Sequence, residues 1–148
     1  SGDLNDMPDN SFISQPCGTH SSPDFLVKNN NRLYALECKS TDKTTTSPMY
    51  NSGLPKKDYI YIYSAKKYNE TTVFLGQDIV PDDQRILFEQ HIKEQRENTA
   101  KLNSLLANSH GVYYYDRPML CHKAKNGDYF EHDLRAQLEQ NVLEFVSG

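Results

Sequence analysis

The feature that most limits what this chain can fold into is the stretch SPDFLVKNNNRLYALECKS, residues 22–40. Two apolar runs, Phe25, Leu26, Val27 and then Leu33, Tyr34, Ala35, Leu36, flank a cluster of asparagines. Such runs fit a half-buried pleated surface. Asparagine tolerates the left-handed backbone that a tight turn needs. The pattern predicts a β-hairpin with strands at 24–28 and 33–39. Three charged groups sit where the hairpin ends, Asp24 on the first strand and Glu37 and Lys39 on the second. Residues i and i+2 of a strand share a face, so Glu37 and Lys39 project together while Leu36 and Cys38 face the opposite layer. An antiparallel hairpin brings Asp24 beside them.

Around this hairpin the chain alternates strand and helix signals. Residues 1–22 hold Pro8, Pro16 and Gly18 among polar side chains and read as irregular, with one short extended piece at 12–14. Residues 40–58 lack periodicity, and a stretch of that length within a domain is usually functional or disordered. YIYIY (59–63) reads as a central strand covered on both faces, and TTVFLG (71–76) as the next strand. From Asp82 the period becomes helical: Phe88, Ile92, Gln95, Thr99, Leu102 and Leu106 fall on one face. Asp82 or Asp83 is expected to cap this helix, Gly111 follows it, and its face is expected to pack on the sheet. VYYY (112–115) reads as a strand, its tyrosines under that helix rather than stacking on bases. Asn126-Gly127 reads as a turn before Tyr129-Phe130. A last amphipathic helix from about Asp133 places Leu134, Leu138, Val142 and Phe145 together. The expected fold is α/β, a mixed sheet of about five strands flanked by helices, in one domain spanning 1–148.

With 36% hydrophobic and 24% charged residues the chain reads as a globular domain, and no apolar run approaches the roughly 18 residues of a membrane span. The opening SGDLNDMPDN lacks the basic start and apolar centre of a secretory signal, so the expected location is cytoplasmic. Three cysteines, Cys17, Cys38 and Cys121, are odd in number and far apart, which argues for reduced thiols. Cys17-x-x-His20 with Cys121-His122 offers four zinc-type ligands, but the second pair is adjacent, against the usual spacing. His91, His110, His122 and His132 read as surface or capping groups. The net charge of −4 disfavours nucleic acid, yet between residues 24 and 70 eight Lys or Arg stand against five Asp or Glu. A locally basic surface still attracts phosphates, because salt confines each charge to roughly 10 Å.

Two carboxylates held close repel unless a proton or a cation intervenes, and hard oxygen ligands suit magnesium, or manganese. The expected ligands are Asp24, Glu37 and the backbone carbonyl of Cys38. Lys39 then stands against the attacking water or a phosphate oxygen, an arrangement suited to phosphodiester hydrolysis. The following loop supplies Lys43, Thr44, Tyr50, Asn51, Ser52, Lys56 and Lys57 as candidate DNA contacts. Its hydroxyls and ammonium groups suit phosphates, and the Asn51 amide suits a base edge.

Pro23-Asp24 followed by Glu37-Cys38-Lys39 resembles the motif of the PD-(D/E)XK nuclease superfamily. The wider run, QPCGTHSSPDF, then ECKS, NSGLPKKDYIYIY and VFLG, looks like type II restriction endonucleases within it. Gln15, Pro16 and Gly18 ahead of the motif and Ser40 after it fit the same likeness, which makes Gln15 and Ser40 candidate DNA contacts too. The resemblance covers roughly residues 15–76. It implies a restriction-endonuclease-like fold, catalysis by Asp24, Glu37 and Lys39, and Mg2+-dependent, sequence-specific cleavage of double-stranded DNA. A homodimer is expected because a palindromic site needs two symmetric active sites. Members often carry a further acidic residue on a helix before the first motif strand, and residues 1–22 do not read as that helix, so the resemblance leaves the chain as either a fragment or a processed product that begins after such a helix. The rival readings are a structure-selective repair or junction-resolving nuclease of the same superfamily and a non-catalytic DNA-binding domain.

Overall fold

A computed structural model describes residues 6–18, 22–42, 47–51, 53–122 and 133–148. In chain order its elements are β1 (Ser11–Ser14), β2 (Phe25–Asn29), β3 (Arg32–Thr41), β4 (Met49–Tyr50), β5 (Tyr59–Ala65), β6 (Glu70–Leu75), α1 (Gly76–Ile79), α2 (Asp82–Leu105), β7 (Leu120–Cys121) and α3 (Arg135–Ser147). Five strands form a mixed sheet in the order β1-β2-β3-β5-β6, and β4 pairs with β7 in a separate two-stranded ladder. The α/β architecture with a sheet of five strands is the one the sequence implies.

The β2–β3 hairpin turns at Asn30 and Asn31, both left-handed with φ of 50° and 59°. Two such residues give the turn whose twist matches the flanking strands. The register pairs Phe25 with Leu36 and Asn29 with Arg32, and β3 then runs parallel to β5, Glu37 beside Tyr61 and Lys39 beside Tyr63. Alternation divides the sheet into two faces. Tyr34, Ile60 and Leu75 pack with Val142 of α3, with Leu36, Val73 and Phe145 around them. The Arg32 guanidinium lies over the rings of Tyr34 and Phe145, at 5.1 and 5.7 Å, and donates to the Gly148 carbonyl. The other face buries Tyr61, Tyr63, Ala65 and Phe74 with Tyr50 from β4. Phe74 is 0% exposed, and its ring stacks on Tyr61 at 5.5 Å.

The helices depart from the periodicity reading in their partners. The sheet is covered by α3, whereas no residue of α2 is buried. Gln95 and Thr99 interrupt its apolar face, and the half-buried Phe88 and Ile92 look onto Gly53, Leu54 and residues 116–120. The residue before its first turn is Pro81, which has no capping side chain, while Asp82 and Asp83 lie inside that turn and favour its positive end. Residues 112–115 are not a strand: Asn103 takes both backbone groups of Tyr114, donating to its carbonyl at 2.9 Å and accepting from its N–H at 2.7 Å. A side chain thus replaces the ladder. The predicted turn at 126–127, Tyr129-Phe130 and His132 lie outside the described residues. No helix among the described residues is long and apolar enough to cross a membrane.

The crossover from β3 to β5 is clamped at Gly76, where a Cβ would collide with the carbonyl of Lys56. Substituting Gly76→Ala is expected to destabilise the fold by about 1–3 kcal/mol, the usual penalty for overpacking, measured by urea denaturation.

Candidate active site

The charged cluster forms because the hairpin ladder ends on a proline. One step beyond Phe25 and Leu36 the register sets Asp24 against Glu37, and one step further Pro23 against Cys38. Proline has no N–H, so it cannot complete the ladder. The Asp24 carboxylate substitutes for it, accepting the Cys38 N–H at 2.7 Å. The carbonyl of Cys38 points to the same side, where Pro23 has no donor to offer. From behind, the N–H of Gln15 donates to the Asp24 carbonyl at 2.6 Å. Gln15 itself is exposed, held in a left-handed turn with φ of 48°.

Glu37 is half-buried, and its carboxyl is pushed up from 4.5 to about 7. Burial is the largest cause, followed by its hydrogen bond with the Asp24 carboxyl and that group's negative charge; Lys39 and Lys56 oppose the shift. Near neutral pH the Glu37 carboxyl is therefore protonated about half the time. Lys39 is also half-buried, which lowers its pKa against the pull of Glu37 and Asp24. Its ammonium lies 5.1 Å over the ring of Tyr50. The second ammonium, Lys56, arrives on the crossover with its backbone N–H donating to the Tyr61 hydroxyl at 2.8 Å and its Nζ to Ser22 Oγ. Burial holds the Tyr61 phenol up at about 12, so it stays protonated.

Asp24, Glu37, the Cys38 backbone and Lys39 are thus brought together as expected, and Lys56 joins them. The other candidates divide. Lys57 turns away and pairs with Asp82 at 3.3 Å, both exposed. Tyr50, only 4% exposed, supports Lys39 from beneath and offers no surface to a ligand. Ser40 and Asn51 line an open cleft of about 910 Å³ with Lys39, Asp42 and Ser47, at the C-terminal ends of the parallel strands β3 and β5. Open α/β sheets place ligands at such ends. Lys43, Thr44 and Ser52 lie outside the described residues, as does His20 of the zinc-type set. His122 has a partner the sequence did not disclose: its Nε2 lies 3.2 Å from the Tyr50 hydroxyl, through the β4–β7 ladder. Only a pairing across 72 positions reveals that contact.

A divalent cation fits the carboxylate pair on its donor chemistry: two oxygen-bearing side chains, Glu37 displaced upward in pKa by burial and then by Asp24, and a backbone carbonyl facing a proline. Among the described residues no third His, Cys, Asp or Glu joins them. Such a set suits Mg2+, which keeps most of its water. No protein-family model matches the chain, and neither the curated proteins nor the solved structures contain a match to it.

The sign of the Glu37 shift gives a stability test. The folded state binds this proton more tightly than the unfolded state, so stability falls as pH rises from about 4.5 to about 7 and is level above. Glu37→Gln is expected to raise the melting temperature at pH 8 relative to wild type and to change it less at pH 5, by differential scanning calorimetry. Because Lys56 favours ionised Glu37, Lys56→Ala is expected to move the Glu37 midpoint upward, while Lys57→Ala leaves it in place; carboxyl-carbon NMR titration separates the two.

Proposed function

We propose that this chain is a magnesium-dependent endodeoxyribonuclease of the PD-(D/E)XK kind that cuts double-stranded DNA at a short specific sequence, working as a homodimer. The observation that carries the reading is the meeting of Asp24, Glu37, the Cys38 backbone and Lys39 at the end of one hairpin, anchored by the bond from Cys38 N–H to Asp24 at 2.7 Å.

Each residue has work to do in such a reaction. Asp24, Glu37 and the Cys38 carbonyl would hold Mg2+, which when bound supplies charge neutralisation and a more acidic water. Asp24 is fixed by its backbone bond, so one carboxylate is in place before any cation arrives. Lys39, held over Tyr50, faces the charge that builds on phosphate oxygens as water adds to phosphorus and the bond to the sugar oxygen breaks. Lys56 contributes a second positive charge to the same surface. The cleft at Ser40 and Asn51 adjoins Lys39 and is wide enough to take a phosphodiester backbone. Its polar lining suits phosphate and base-edge contacts.

The test is digestion of a large plasmid or phage DNA with magnesium and with EDTA. Discrete fragments that require magnesium are expected, and a ladder without preferred ends would reassign the chain to a sequence-indifferent nuclease. Asp24→Asn and Lys39→Ala should each lower the rate by about 10²–10³-fold, the usual loss when a transition-state contact is removed. Lys39→Ala should leave DNA binding within about threefold, since it removes one phosphate contact among many.

A further inference from the structure

The tyrosines of residues 113–115 are left without a role by the carboxylate site. Tyr113, Tyr114 and Tyr115 are 70%, 55% and 71% exposed. Three large aromatic side chains standing in water side by side are costly unless they meet a partner. Their backbone is nevertheless fixed. Asn103 holds Tyr114 through both of its backbone groups, and Ser109 Oγ donates to the Val112 carbonyl at 2.8 Å and accepts the Val112 N–H at 3.2 Å. The tyrosines thus stand on a fixed ledge beside α2.

Two adjoining cavities run beneath it. One, of about 430 Å³, is lined by the three tyrosines with Thr99 and Asn103. The other, of about 460 Å³, lies over Phe88, Ile92 and Leu54. Arg96, Asp116 and Arg117 border both. The Asp116 Oδ2 atom is buried and accepts no hydrogen bond among the described residues. Exposed aromatic faces, guanidinium groups and a carboxylate oxygen awaiting a donor match three features of one ligand: the π-face of a nucleobase, a phosphate, and a base amino group. A paired base has its faces covered by neighbours, so the complementary ligand is unpaired.

We propose that the groove between α2 and residues 112–120 binds unpaired nucleobases of a single-stranded nucleic acid, stacking them on Tyr113, Tyr114 and Tyr115, with Arg96 and Arg117 on the phosphates and Asp116 accepting from base amino groups. The groove ends at Leu120 of β7, which pairs with Tyr50 beneath Lys39.

The inference is independent of cleavage, and its test needs neither magnesium nor turnover. The chain has ten tyrosines and no tryptophan, so its intrinsic fluorescence is that of tyrosine, which a stacked base quenches. A short mixed-sequence DNA strand and the duplex formed with its complement are titrated into the protein in EDTA, following that quenching and the anisotropy of a label on the DNA. Stronger tyrosine quenching by the single strand than by the duplex is expected. The pair Tyr113→Ala and Tyr115→Ala should weaken single-strand binding at least about tenfold, the loss of even one base stack. The pair Tyr113→Phe and Tyr115→Phe, which keeps the rings, should stay within about threefold of wild type. Equal single-strand affinity of the alanine pair and wild type, or tyrosine quenching by the duplex as strong as by the single strand, overturns the proposal. So does sedimentation in which the alanine pair abolishes a dimer without altering strand affinity, which would make the ledge a contact between copies of this chain.

Discussion

The parallel pairing of β3 with β5 is the constraint on which the rest of the molecule depends. Parallel neighbours cannot be joined by a tight turn; the chain must travel back along the sheet before the second strand begins. Such crossovers are usually helices. Here the described residues of the return, 42, 47–51 and 53–58, include a two-residue strand, β4, which finds its own partner in β7. The crossover thereby lays Tyr50 across the tyrosine-rich face and delivers Lys56 to Glu37 just before β5 starts. A helical crossover would have covered that face with a continuous apolar stripe and closed the cleft beside Lys39.

The electrostatics follow from that route. Asp24 is held by a backbone N–H, Glu37 is desolvated beside it, and two ammonium groups reach them from different parts of the chain. The four groups do not collapse into two closed ion pairs. Lys39 is occupied with an aromatic face, and Lys56 is tied by its backbone to Tyr61 and by its amine to Ser22. The proton that Glu37 holds up to about pH 7 is the compensation this crowding calls for. Compensation by a proton is also reversible, which leaves the pair responsive to whatever cation or phosphate enters the cleft.

How far the sequence discloses this structure varies with the range of the interaction. The hairpin is legible because its evidence is local: alternation on either side of Asn30 and Asn31, and charges at positions whose register follows from the turn. Asp24 and Glu37 could be placed together on that basis alone. Periodicity also found α2 and α3, but it identifies a face without its partner, and so α2 was set on the sheet that α3 occupies. At residues 112–115 strand propensity misled, since Val and Tyr favour strands only where a ladder is at hand, and Asn103 supplied the bonds instead. The Tyr50–His122 contact and the approach of Lys56 depend on how far-apart segments settle against each other, which no spacing within one segment encodes.

The absence of buried residues in α2 has a consequence for how the molecule opens. At its start the helix is tied to the crossover, with Arg85 donating to the Pro55 carbonyl at 2.6 Å. Further along, its support is a bond within its own surface between Gln90 and Glu94, and then Asn103. Resistance to local unfolding follows apolar burial. Amide exchange should therefore slow from the end of α2 toward its beginning, and slow again into the sheet. The beginning of α2, tied to the crossover, then opens after its end, and the sheet that carries the hairpin opens later than either.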